Sequence, residues 1–113
     1  MKLPCAEQAI IDVAKLRDYL LSDTHPVGRF KSAFFLSLGY TAARWDELDR
    51  ALRNLAVAGE VEVDEATRHG QKYRVPGVLI GPTGGRAAVI TVWIVLHDQE
   101  EPRFVTAYPG GRT

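Results

Sequence analysis

The segment His25-Pro26-Val27-Gly28-Arg29-Phe30-Lys31 gathers an imidazole and two fixed cations at the start of a helical pattern. Free amides and the helix dipole at such a start favour an anion, so a phosphate would be well placed there. A purely structural role fits the same residues: Gly28 easing a turn, Arg29 and Lys31 solvated, His25 bonded to a backbone carbonyl. A second cluster is Phe104-Val105-Thr106-Ala107-Tyr108-Pro109. Strand alternation would put Phe104, Thr106 and Tyr108 on one face and Arg103, Val105 and Ala107 on the other. A hydroxyl and a phenol side by side can bond phosphate oxygens or pass a proton, although Thr and Tyr are also ordinary strand residues. The third candidate, Thr91-Val92-Trp93, lies either beside that row or under the helices, and core packing is the expected role of Trp93.

Other chemistries lack their parts. There is no Gly-x-Ser-x-Gly elbow, and Gly81-Pro82-Thr83-Gly84-Gly85-Arg86 precedes a strand and lacks the helix and lysine of a phosphate loop, so it reads as a hairpin turn. Cys5 stands alone, and the three histidines have no metal-ligand spacing, so no metal or other cofactor is expected. His, Lys or Arg, Thr and Tyr without a metal are the set that cleaves RNA through the neighbouring 2′-hydroxyl.

The elements that must position these residues follow from periodicity. Asp12 offers a cap to a helix Val13 to Leu21, whose Val13, Leu16, Leu20 and Leu21 share a face; Pro26 then disfavours helical geometry at His25. A second helix, Val27 to Leu38, ends at Gly39. A third, Ala42 to Ala58, is capped by Thr41 and carries Trp45, Leu48, Leu52 and Leu55 at 3-4-3 spacing. From Glu60 the period becomes two, giving a first strand with Val61 and Val63 on one face. Lys72 to Ile80 is the second strand, and its Pro76-Gly77 requires an edge position or a bulge. Arg86 to Leu96 is apolar on both faces, as a central strand covered at least partly on both sides would be, and Arg103 to Tyr108 is the fourth. The expected fold is α+β, one domain over residues 1–113, with helices at about 13–58 packed on one face of a four-stranded antiparallel meander at about 60–108.

Charge and composition narrow the setting. The chain of 113 residues is 46% apolar and has a net charge of zero, which lacks the basic excess usual in nucleic-acid binders. Yet the acids leave 24–45, 66–97 and 102–113 without any, and those stretches hold Arg29, Lys31, Arg74 and Arg103. If they meet in the fold, one face is locally basic. No run of apolar residues reaches membrane-spanning length and the first residues lack a secretion signal, so a cytoplasmic protein without membrane association is expected.

His25-Pro-Val-Gly-Arg-Phe-Lys-Ser-Ala-Phe-Phe, Leu-Gly-Tyr40, Gly81-Pro, Thr91-Val-Trp93 and Pro102-Arg-Phe-Val-Thr-Ala-Tyr-Pro109 together resemble a small bacterial family of unassigned function. The order of elements, ending in a Thr-Ala-Tyr-Pro strand, is similar to the barnase/EndoU/colicin/RelE-like group of metal-independent ribonuclease toxins. That resemblance implies an acid or base at His25, phosphate-binding cations at Lys31 and Arg29, polar sheet groups at Thr106 and Tyr108, an RNA substrate and a neutralising antitoxin partner. The chain departs from the group in its neutral charge and in lacking a second catalytic His or Arg by motif; Arg74 or Arg103 are the candidates for that place. The readings of another class are a non-catalytic protein-binding module of immunity or antitoxin type, and a binder of phosphorylated small molecules.

Overall fold

The computed structural model describes residues 1–22, 24–26 and 29–110, without the side chains of Arg29 and Phe30. The start of the second helix expected at Val27 and Gly28 lies outside the described residues. Helix α1 (Val13–Lys15) begins at Asp12, whose carboxylate accepts the Ala14 amide at 2.9 Å. It widens at once into a π-helical segment, Leu16–Leu20, closed by the Leu21 amide on the Leu16 carbonyl at 2.9 Å. Such wide turns are uncommon and often adjoin functional sites. Leu16 and Leu20 are buried here, while Asp18 stays exposed and Tyr19 half-buried. Helix α2 (Arg29–Ser37) stops where Gly39 adopts a left-handed φ of 97°, a conformation that suits glycine. After Thr41 caps a 3₁₀ turn, Ala42–Arg44, helix α3 (Trp45–Ala58) follows.

Four antiparallel strands follow in meander order: β1 (Glu62–Ala66), β2 (Gly70–Ile80), β3 (Arg86–Leu96) and β4 (Arg103–Pro109). Tyr73, Val75 and Leu79 of β2 face the helices together with Val89, Thr91 and Trp93 of β3 and Phe104 and Ala107 of β4. The buried polar groups on this face satisfy one another. Trp93 Nε1 donates to Thr91 Oγ1 at 2.8 Å, and Thr91 donates to the Val75 carbonyl at 2.9 Å. Trp93 and Thr91 therefore lie under the helices.

Two expectations from alternation are corrected, at β1 and at β4. Strand β1 starts at Glu62 rather than Glu60, so Val61 is buried while Val63 is exposed, and the two do not act as one apolar face. Strand β3 keeps the partial cover expected on its second side: Ile90, Val92, Ile94 and Leu96 face away from the helices, with Val92 buried and the other three half-buried. In β4 the register slips between Val92 and Trp93, so that Thr106 opposes Val92 and Phe104 opposes Trp93, leaving Val105 as a bulge. The extra residue breaks the period of two. Phe104 goes into the core and Thr106 to the opposite side.

The core joins Leu48, Leu52, Leu55 and Ala56 of α3 to the inner sheet row. Leu55 lies over Gly77, where an added Cβ would stand 2.7 Å from its side chain, so this glycine makes room for the helix. Leu52 is fully buried. Its replacement by Ala should cost about 2–5 kcal/mol of stability in denaturant titration. A loss below about 0.5 kcal/mol would mean that this helix face is not packed as described.

Candidate active site

The π-helical segment, the loop before α2, α2 itself and the bulged strand β4 surround a cavity of about 510 Å³. Its lining includes Lys15, Tyr19, His25, Lys31 and Thr106. Lys31 Nζ donates to Thr106 Oγ1 at 2.8 Å, joining residues 75 apart in sequence. The threonine keeps its own hydroxyl hydrogen for an incoming acceptor. Tyr19 supports both basic groups: the His25 ring stands edge-on to it at 5.1 Å and 85°, and Lys31 Nζ lies 5.5 Å from its centroid. A cation over an aromatic face and a T-shaped ring pair are both attractive arrangements, so one phenol ring holds the imidazole and the ammonium in place. Lys15 Nζ donates to the Val105 carbonyl at 3.0 Å, which fastens α1 to the bulge. Asp18 is the acid on the rim. Arg17 hydrogen-bonds it at 2.9 and 3.2 Å and holds its carboxyl below the usual range, so it stays ionised and engaged with its neighbour.

The remaining sequence candidates lie apart from this cavity. Tyr108 sits two residues beyond Thr106, opposite Ile90 and outside the cavity lining. Arg74 shares a cross-strand row with Thr106, since Glu62, Arg74, Val92 and Thr106 are successive partners across the sheet. Two strand spacings, about 10 Å, separate the two backbones. Arg74 is paired with Glu62 at 3.6 Å and Asp64 at 3.9 Å, which neutralises it on the helix-free face. Arg103 bonds the Gln99 side chain at 2.9 Å near the opposite end of β4. The side chain of Arg29 lies outside the described residues. His69 and His97 occupy the loops at the far end of β2 and β3, linked by a backbone bond of 3.1 Å.

Residues 2–111 match the domain of unknown function DUF6883. The chain belongs to that family. No curated protein matches it. Among solved structures, its fold is similar to a chain of a contact-dependent growth inhibition toxin–immunity protein complex from Klebsiella pneumoniae 342. The TM-score is 0.62 at 16% identity, over 96% of this chain and 98% of that one. At that identity the likeness is one of fold.

In this DUF6883 domain the residues that sequence reasoning missed are Lys15, Asp18 and Tyr19. A signal existed. They recur at helical spacing opposite Leu16 and Leu20, and Tyr19 is an aromatic on the otherwise polar face of the first helix. Among the described residues, no group of three or more His, Cys, Asp or Glu is placed to hold a metal, and no helix is long and apolar enough to cross a membrane.

Proposed function

We propose that this domain is a metal-independent endoribonuclease of toxin type, cleaving RNA by attack of the 2′-hydroxyl on the adjacent phosphate. The observation that carries this reading is the Lys31–Thr106 bond at 2.8 Å inside a cavity also lined by His25. An imidazole, an ammonium and a hydroxyl around one void can take a proton from the 2′-oxygen and meet the charge that develops on the phosphorane. His25 acts as the base. Lys31 neutralises a non-bridging oxygen, and Thr106, held by Lys31, donates its hydrogen to the phosphate. The new O2′–P bond forms as the P–O5′ bond breaks, leaving a 2′,3′-cyclic phosphate and a 5′-hydroxyl. The leaving oxygen takes its proton from water. The fold likeness to a chain of a toxin–immunity complex supports a role as one member of such a pair, and with it a protein partner.

A net charge of zero favours a second reading, a non-catalytic immunity-like module, because RNA binding ordinarily needs a basic surface. One assay separates the two. Purified protein incubated with total RNA in excess EDTA should yield fragments ending in 2′,3′-cyclic phosphate. A folded sample, free of any bound partner, that cuts no RNA would transfer the assignment to the immunity-like module.

A further inference from the structure

The inner strand β2 has an open edge. Strand β1 runs beside only its first half, pairing with Gln71, Tyr73 and Arg74, and among the described residues no strand pairs with residues 76–80 on that side. The hydrogen-bond phase of this edge is fixed by the hairpin. The Gly81 amide bonds the Gly85 carbonyl at 2.7 Å, so in an antiparallel ladder Ile80, Val78 and Pro76 direct their backbone groups away from β3. The same phase follows from Gly110 on the Ala88 carbonyl at 3.1 Å, because Ala88, partner of Val78, turns its own groups toward β4. Proline fits at 76 for this reason: it lacks an amide hydrogen where none would reach β3. The outward set is the carbonyls of Pro76, Val78 and Ile80 and the amides of Val78 and Ile80. Of these, the Ile80 carbonyl is occupied by the Tyr40 hydroxyl at 3.0 Å. A groove of about 420 Å³ follows this edge, between residues 76–80 and Ala51, Ala58 and Gly59 at the end of α3.

We infer that this edge pairs with the same edge of a second copy of the chain, antiparallel about a twofold axis at Val78. The self-match of donors and acceptors selects this occupant. With Val78 opposite its symmetry mate, each Val78 amide meets the other Val78 carbonyl. Two residues away, Ile80 opposes Pro76 of the mate, and its amide meets the Pro76 carbonyl. The one donor that the strand lacks, at Pro76, faces the one acceptor already engaged, at Ile80. Every outward group is thereby used. The side chains agree with this pairing. Val78 and Ile80 are 54% and 59% exposed on the helix-free face, and the pairing sets Val78 against Val78 and Ile80 against Pro76, all apolar. An unpaired edge bearing exposed β-branched residues is otherwise a template for uncontrolled pairing, and a closed twofold contact removes that edge.

The test is the oligomeric state of the purified full chain by sedimentation equilibrium, with charge reversal at the twofold position. Wild type should dimerise at or below about 100 µM, and Val78→Lys and Val78→Glu should each weaken association at least about tenfold, because each sets like charges opposite one another. Val78 is exposed, so both variants should keep the wild-type circular dichroism. An equimolar mixture of the two should restore the dimer as a heterodimer, detectable by native mass spectrometry. A wild type that stays monomeric at that concentration, a dimer indifferent to Val78→Lys, or a mixture that associates no better than either variant alone would overturn the pairing. RNA cleavage is not part of the readout, so the outcome is independent of the proposed activity.

Discussion

His25→Ala is expected to slow RNA cleavage by about 100- to 10,000-fold, the usual contribution of a positioned general base. Among the described side chains lining the cavity, His25 has the imidazole, the side-chain type that exchanges protons near neutrality. Its position is set from two directions. The backbone amide bonds Ser22 Oγ at 3.2 Å, and the ring stands edge-on to Tyr19 at 5.1 Å. The edge-on contact with Tyr19 is worth about 0.5–1.5 kcal/mol, a small part of the stability of a domain. The variant should thus keep its fold by circular dichroism while losing rate. Full activity in folded His25→Ala protein would move the base elsewhere, with Lys31 the next group within the cavity.

The elements were more legible in the sequence than their faces. Asp12 and Thr41 announced two helical starts because a short polar side chain before an apolar period has a local job, satisfying free amides. Pro76-Gly77 announced an edge or a bulge, and the structure has the edge: pairing with β3 runs unbroken through both residues, while β2 is interior at Arg74 and open at Pro76. Alternation groups Phe104 with Thr106, and the structure separates them, because a bulge leaves no marker in the chain. Val105 is an ordinary strand residue, and its extra place is set by the demands of Trp93 and of Lys15, which bonds its carbonyl. The approach of Lys31 to Thr106 is likewise a tertiary fact. Residue types on each side suggested phosphate chemistry, but the π-helical turn that brings Tyr19 between His25 and Lys31 has no sequence period of its own.

Lys31→Met should lower the cleavage rate by about 100- to 1,000-fold, the cost typical of deleting one preorganised group that meets transition-state charge. The size follows from what the ammonium does twice. It carries the positive charge nearest the Thr106 hydroxyl, and it sets that hydroxyl's direction by donating to its oxygen at 2.8 Å, so that the remaining hydrogen points to the phosphate. Methionine keeps the length and the contact with the Tyr19 ring but removes both effects. Thr106→Val, nearly the same shape, removes only the hydroxyl and should cost less. Because the two groups touch, their losses should not add: the double variant should be about as slow as Lys31→Met alone. Rates for the wild type, both single variants and the double variant complete this cycle, with melting temperatures to confirm that each remains folded. Strictly additive losses in log rate would show that Lys31 and Thr106 act on separate features of the substrate. An unchanged rate in folded Lys31→Met protein would remove this lysine from the site, and with it the observation on which the ribonuclease reading rests.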